Sequence, residues 1–233
     1  IEGQTFYKKT NYKAFKVDNP KELNNVLQKL SDTIDLKEVM IQEMIPLNNS
    51  NKVISFTAFC IQGEIKSFWM GQKIREHPIY FGTATMSKSI YNQAILEQVK
   101  PLLKELNYEG VCEVEFIEDP RDGKYYLIEI NARTWLWVGL AKACGIDYAI
   151  QVYNYVNNIP QEFSLTYKTN VFWKNEITDF IFTLINIVKG KIKLKESSRL
   201  WFKFKVKAVW YKRDSRPFWG YLFLLPYIFL KRR

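Results

Sequence analysis

Two segments separated by a turn carry carboxylates and a carboxamide at alternating positions. The first, Val111–Ile117, contains Glu115, and the second, Tyr125–Asn131, contains Glu129 and Asn131. Because alternate residues share one face of a β-strand, an antiparallel pairing in even register would gather these three side chains at neighbouring positions. Carboxylate and amide oxygens are ligands that suit Mg²⁺, which usually keeps part of its shell for water and phosphates. The spacing therefore predicts a magnesium site.

Arg133 lies two positions beyond Asn131 and shares its parity. A guanidinium at this position suits an anionic intermediate or a transferred phosphoryl group. In a second interpretation the hairpin simply turns its polar side to solvent, where Glu and Asn are ordinary residues. The spacing alone leaves both interpretations open.

The elements that would position these residues form an α+β pattern, read from apolar periodicity and turn residues. They are a helix from Asn19 to about Ser31, a strand over Lys37–Pro46, a hairpin of Val53–Ile61 and Glu64–Ile74, a helix over 89–107 that Pro101 kinks or divides, the two strands named above, and a helix over 176–188 that stops at Gly190.

The order of these motifs resembles the ATP-grasp superfamily, and within it the carboxylate–amine ligases of the D-aspartate ligase kind. The family hallmark is a glutamate on one strand, followed on the next by Glu-x-Asn and an arginine. Here these are Glu115, then Glu129 and Asn131, then Arg133. The resemblance implies an ATP-grasp fold of antiparallel sheets with flanking helices. It also implies binding of ATP with Mg²⁺, and an amide or peptide-like bond made from a carboxylate and an amine through an acyl phosphate.

Other segments resemble the family in the same order. The segment of Lys73 and Arg75 is similar to the substrate-side strand, so the resemblance gives these two cations and Arg133 catalytic roles in stabilising anionic charge. Lys73 and Arg75 are expected on one face of the strand, and a plain basic face is the open alternative. The resemblance assigns nucleotide contacts to five further residues: Lys13, Gln42, Glu43, Met44 and Ile45.

The resemblance covers residues 1–160 and predicts an ATP-grasp core that is incomplete at its N-terminus. A basic, aromatic-rich helical extension is predicted over 161–233. The expected partners are small-molecule carboxylate and amine substrates, and a missing N-terminal domain of the same enzyme. The alternative from another class is a non-catalytic module, either an ATP-grasp-like scaffold or a membrane-surface protein that binds through its basic tail.

Composition excludes several classes of protein. The chain has 233 residues, of which 47% are hydrophobic, with only 10 Gly and 8 Pro. Disordered, collagen-like and low-complexity chains have different compositions. Three widely spaced cysteines, Cys60, Cys112 and Cys144, exclude a disulfide framework and a Cys-x-x-Cys metal knuckle. A reducing, cytoplasmic location is therefore expected.

The formal net charge of +10 is concentrated near the C-terminus. Residues 164–233 hold 16 of the 34 lysines and arginines but only 4 of the 24 aspartates and glutamates. The apolar run Phe218–Leu230 is shorter than the ~20 residues that a spanning helix needs, which favours an in-plane anchor on an anionic membrane. The composition of residues 200–233 therefore predicts that this segment associates peripherally with the inner membrane face. Packing against the missing domain is an equal alternative, and nucleic acid is ranked last.

Overall fold

The computed structural model describes residues 14–46, 52–77, 82–190 and 205–231. The chain divides into two compact units, one ending at Pro46 and the other running from Leu47 to Arg233.

The first unit contains one regular helix, α1 (Pro20–Ser31), among its described residues. It begins at the predicted position because the Asn19 Oδ1 atom accepts a hydrogen bond from the backbone N–H of Glu22 at 2.9 Å. Pro20 occupies the first helical position, where a missing N–H costs nothing. The predicted boundaries of this helix are confirmed.

The strand predicted over Lys37–Pro46 is wrong. A short 3₁₀ helix occupies Leu36–Glu38, and residues 39–46 have no regular structure. Met40 is 80% exposed and Ile41 is 60% exposed. An apolar run forms a strand only where a neighbouring strand completes its hydrogen-bond ladder, and the described residues of the first unit contain no strand.

The second unit is built on a seven-stranded sheet in the order β5-β4-β1-β2-β3-β6-β7. All neighbouring strands are antiparallel except β6 and β7, which are parallel. The strands are β1 (Val53–Ile61), β2 (Glu64–His77), β3 (Thr83–Ile90), β4 (Gly110–Glu118), β5 (Tyr125–Asn131), β6 (Phe172–Lys174) and β7 (Val206–Lys207).

Five helices accompany this sheet within the described residues, which confirms the predicted α+β class. They are α2 (Gln93–Glu105), α3 (Val138–Cys144), α4 (Tyr148–Val156), α5 (Glu176–Val188) and α6 (Arg216–Lys231). The helix predicted over 89–107 is shorter than expected because β3 continues to Ile90 and Asn92 caps the helix. Pro101 lies inside α2 without dividing it. The predicted end of α5 is confirmed, since Gly190 follows in the left-handed region at φ 68°.

Alternate residues of the central strands supply two separate cores. On one face, Phe56 and Val114 pack with the buried side of α2. On the other face, Phe59 and Trp69 pack with residues of α3 and α4. Successive residues of a strand point to opposite faces. The odd-numbered residues of β4 therefore lie on the face that α3 and α4 cover.

The sheet contains strands from both sides of the domain boundary expected at position 160. Strands β6 and β7 come after that position and pair with β3 and with each other. The boundary itself stays a prediction. Within the described ranges, no helix combines the length and the apolar character that crossing a bilayer requires.

Gly71 of β2 lies where two tryptophans meet. A Cβ atom at this position would be 2.2 Å from Cη2 of Trp69 and 2.2 Å from Cζ3 of Trp137. Both rings are buried, so they cannot move aside freely. We therefore expect Gly71→Ala to lower the free energy of unfolding by about 1–3 kcal/mol, measured by urea denaturation.

Gly139→Ala is the matched control, because a Cβ atom there meets nothing within 4 Å. Position 139 lies in α3, where alanine is the better helix former. Gly139→Ala should leave the free energy of unfolding unchanged or raise it slightly. Equal unfolding midpoints for Gly71→Ala and the wild-type protein would contradict the steric argument.

Candidate functional site

The β4–β5 hairpin brings the predicted oxygen ligands together. Glu115 stands directly opposite Glu129, and Glu113 stands opposite Asn131. This is the even register expected from the sequence. Glu115, Glu129 and Asn131 therefore occupy neighbouring positions on one face of the sheet.

Hydrogen bonds hold the Asn131 carboxamide between its neighbours. Its Nδ2 atom donates to Oε1 of Glu129 at 2.7 Å and lies 3.5 Å from Oε2 of Glu113. Its Oδ1 atom accepts from Nη2 of Arg133 at 3.2 Å. The structure thus places Arg133 beside the glutamates, as its parity with Asn131 predicts.

Lys73 reaches the same group from β2. Its Nζ atom lies 3.0 Å from Oε2 of Glu115, and the two side chains are each 14% exposed. Strand β1 separates their strands, and Ser55 is its residue opposite Glu115. Because the Ser55 side chain is small, it leaves room for the Lys73 side chain to cross β1 and reach Glu115. The ammonium group offsets repulsion between the facing carboxylates Glu115 and Glu129.

Glu113 also belongs to this group, although it is not among the ligands predicted from the sequence. It is 2% exposed, and its Oε1 atom has no hydrogen-bond partner within the described part of the chain. Burial, together with the negative charge of Glu115, raises the pKa of Glu113 to about 7. The signal that could have found it is the same alternation that selected Glu115, two positions later on one strand.

Arg75 does not join the group. An irregularity in the β2–β3 ladder places Lys73 opposite Ser87 but Arg75 opposite Met86. Ser87 and Met86 are consecutive in β3 and so lie on opposite faces. The expectation that Lys73 and Arg75 share a face is therefore wrong, because the extra residue of a β-bulge reverses the side-chain alternation.

Arg75 instead pairs with a buried aspartate on α5. Its Nε and Nη2 atoms donate to Asp179 at 2.8 and 2.7 Å. The Oγ1 atom of Thr85 donates to the same carboxylate at 3.0 Å, and Nζ of Lys174 lies 3.2 Å away. Burial lowers the pKa of Lys174, and the charge of Asp179 opposes this shift. The catalytic role assigned to Arg75 stays a prediction.

The residues expected to contact the nucleotide belong to the first unit or lie outside the described residues. Lys13 falls outside the described residues. Gln42, Glu43, Met44 and Ile45 lie in the irregular end of the first unit, not on a strand. Their roles stay predictions from the resemblance.

The donor chemistry at the hairpin fits a hard divalent cation. The carboxylates of Glu115 and Glu129 stand opposite each other, and the Asn131 carboxamide lies beside them with its Nδ2 atom toward Glu129 and its Oδ1 atom toward Arg133. Across the described ranges, no three Asp, Glu, His or Cys side chains are grouped so that they could hold a metal ion. Mg²⁺ is commonly bound through only one or two carboxylates, with water and phosphate completing its shell. The available donors match that pattern.

Comparisons with known proteins include a family model that covers this hairpin. Residues 59–157 match the model of the carbamoyl-phosphate synthase L chain ATP-binding domain. A stretch of 123 residues, 52% of the chain, is 27% identical to a D-aspartate ligase of Enterococcus faecium (strain Aus0004). The matched stretch covers 29% of that relative, so the chain spans less than a third of the relative's length.

Two solved structures are also similar to the chain. A biotin carboxylase–β-γ-ATP complex from Campylobacter jejuni has a TM-score of 0.48 at 16% identity, covering 67% of this chain and 36% of that one. Rhizobium etli pyruvate carboxylase T882A with acetyl coenzyme A has a TM-score of 0.44 at 16% identity, covering 57% and 15%. The segment that the family model matches contains Lys73, both strands of the hairpin and Arg133, and these similarities support the resemblance to the ATP-grasp superfamily.

Proposed function

We propose that the chain is part of an ATP-dependent carboxylate–amine ligase that forms an amide or peptide-like bond. The observation that carries the proposal is the register of β4 and β5, which sets Glu115 opposite Glu129 and beside Asn131. The similarity to a D-aspartate ligase supports this reaction class. Amino-acid-like carboxylates and amines are the proposed small-molecule substrates. A cytoplasmic location, where ATP is abundant, fits the three free cysteines.

In this proposal Glu115, Glu129 and Asn131 hold Mg²⁺. When bound, the cation neutralises and orients the phosphates of ATP. The Nζ atom of Lys73 lies 3.0 Å from Oε2 of Glu115 and already compensates the charge of this carboxylate. Arg133 is anchored through the Asn131 carboxamide and the backbone carbonyl of Thr134. Its guanidinium is exposed, so it is available to an anionic group.

The proposed reaction has two steps. A carboxylate oxygen of the first substrate attacks the γ-phosphorus of ATP, which gives an acyl phosphate and ADP. The amine nitrogen of the second substrate then attacks the carbonyl carbon, phosphate leaves, and the nitrogen loses a proton. Lys73 and Arg133 stabilise the negative charge on the transferred group. A non-catalytic scaffold would bind nucleotide without releasing phosphate, so a phosphate-release assay separates the two functions.

The metal assignment predicts a specific loss of nucleotide binding. A ligand at 100 times its Kd stabilises a protein by about 2.7 kcal/mol, which is measurable as a rise in Tm. We expect Mg-ATP to raise the Tm of the wild-type chain and Glu129→Gln to weaken binding at least about tenfold, or about 1.4 kcal/mol. Glu129 is exposed on the edge strand, so the substitution should leave the fold unchanged.

Glu118→Gln is the matched control. Glu118 lies three positions from Glu115 on β4, faces the opposite side of the sheet and pairs with Lys52 at 2.8 Å. This variant should keep the full Mg-ATP shift. An equal shift in Glu129→Gln and wild type would contradict the metal assignment. A wild-type Tm that Mg-ATP leaves unchanged would contradict nucleotide binding by this chain.

A further inference from the structure

Helix α6 has one packed side and one exposed side. Phe218 lies on the packed side, where its ring contacts that of Trp210 at a centroid distance of 5.1 Å. Tyr221 and Leu225 continue this side and are half-buried. The helix is therefore anchored to the segment before it along one stripe of residues.

The other side of α6 presents large apolar residues to solvent. Trp219, Phe223 and Leu224 are 59%, 86% and 49% exposed. Trp219 and Phe223 are four residues apart and share one sector of the helix, and Leu224 lies about 100° further round the same exposed side. We call these three residues the exposed face of α6. Adjacent exposed apolar residues of this size mark an interaction surface.

Basic residues precede this face. Lys205, Lys207, Lys212, Arg213 and Arg216 are all exposed. Arg216 begins the helix, on the same sector as Trp219, and its side chain is 91% exposed. Asp214 is the only acidic residue among positions 205–231, and it pairs with Arg216 at 2.9 Å. The surroundings of the exposed face therefore carry a clear excess of positive charge.

This combination of charge and shape favours one kind of partner. Sixteen residues at 1.5 Å each give a helix of about 24 Å, less than the ~30 Å of a bilayer core. An in-plane helix instead places its aromatic and aliphatic side chains at the headgroup boundary and its cations beside anionic headgroups. A nucleic-acid-binding surface would account for the positive charge but not for the exposure of Phe223 and Leu224 to solvent. A protein partner would not need the excess of cations.

We propose that α6 lies in the plane of an anionic phospholipid bilayer. Trp219, Phe223 and Leu224 insert at the boundary between headgroups and acyl chains. The basic segment 205–216 contacts the headgroup phosphates. This inference uses none of the residues assigned to the nucleotide site, so it is tested independently of the ligase proposal.

The test is co-sedimentation of the full chain with vesicles of phosphatidylcholine alone or with 30% phosphatidylglycerol. Wild-type protein should bind the anionic vesicles at least tenfold more tightly than the neutral ones. Phe223→Ser should weaken binding to anionic vesicles at least tenfold. The double variant Lys212→Gln/Arg213→Gln should weaken it at least fivefold and reduce its dependence on salt.

Matched controls separate the proposed surface from exposed residues in general. Tyr153→Ser removes a 60% exposed aromatic from α4, and Lys100→Gln/Lys104→Gln removes two exposed cations from α2. Both controls should bind vesicles as the wild type does. Quenching of tryptophan fluorescence by brominated lipid should decrease in Trp219→Phe, which reports insertion of that ring rather than surface attraction alone.

Several results would overturn the proposal. One is a failure of the wild-type chain to bind anionic vesicles at low salt. A second is binding that Phe223→Ser leaves unchanged, since attraction would then be electrostatic only. A third is displacement from vesicles by a single-stranded oligonucleotide without any effect of Phe223→Ser, which would assign the surface to nucleic acid. Self-association that Phe223→Ser abolishes, without vesicle binding, would assign the face to a second copy of the chain.

Discussion

Replacing Asp179 with alanine is expected to lower the free energy of unfolding by about 3–5 kcal/mol. Asp179 is 1% exposed and joins helix α5 to the sheet. It accepts two hydrogen bonds from Arg75 and one from Thr85, and it lies 3.2 Å from the ammonium of Lys174. Its removal takes a shared carboxylate from the buried ammonium group of Lys174 and the largely buried guanidinium group of Arg75. Urea denaturation of the two proteins measures the difference.

The control for this prediction is Asp214→Ala. Asp214 also pairs with an arginine, but Arg216 is 91% exposed and Asp214 is 44% exposed. Exposed ion pairs contribute little, so this variant should stay within about 1 kcal/mol of wild type. Asp179→Asn keeps the side-chain volume and gives a second variant if alanine prevents folding. Equal losses for Asp179→Asn and Asp214→Ala would contradict the buried ion-pair argument.

Replacing Glu113 with glutamine is expected to stabilise the protein at pH 8. Folding raises the pKa of Glu113 to about 7 from an ordinary value of 4.5, chiefly because the carboxyl is buried. Between these two values the native state holds a proton that the unfolded chain has lost. The contribution of Glu113 to stability is therefore fully present below pH 4.5 and is lost as the pH rises through 7.

Glutamine mimics the protonated carboxyl and removes this loss. At pH 8 in metal-free buffer, Glu113→Gln should exceed wild type by up to about 3 kcal/mol in free energy of unfolding. Near pH 4 the two proteins should agree. Urea denaturation at both pH values measures the difference, with the exposed Glu105→Gln as control. Parallel pH dependences for wild type and Glu113→Gln would contradict the burial effect.

The register of the candidate site follows from alternation that is visible in the sequence. Glu115, Glu129 and Asn131 lie on short β-branched and aromatic segments around a turn rich in Asp, Pro and Gly. Such segments specify strand, turn and face with little help from the rest of the chain. The cap at Asn19 and the end of α5 at Gly190 are equally local, and both agree with the structure.

Other features depend on residues far apart in the chain. The contact of Lys73 with Glu115 crosses β1 and joins positions 42 residues apart. The burial of Glu113 depends on the layer that covers its face of the sheet. Arg75 faces Asp179, 104 positions later, because a bulge reverses the alternation of β2. None of these can be read from a local pattern.

Residue types and spacing specify the α+β class and the face on which Glu115, Glu129 and Asn131 lie, because alternation and turn chemistry act between near neighbours. The contact of Lys73 with Glu115, the pairing of Arg75 with Asp179 and the irregular structure of residues 39–46 depend on the folded chain. Burial, charge pairing and the completion of a β-ladder each require a partner from elsewhere in the chain. A residue's own type and spacing do not specify that partner.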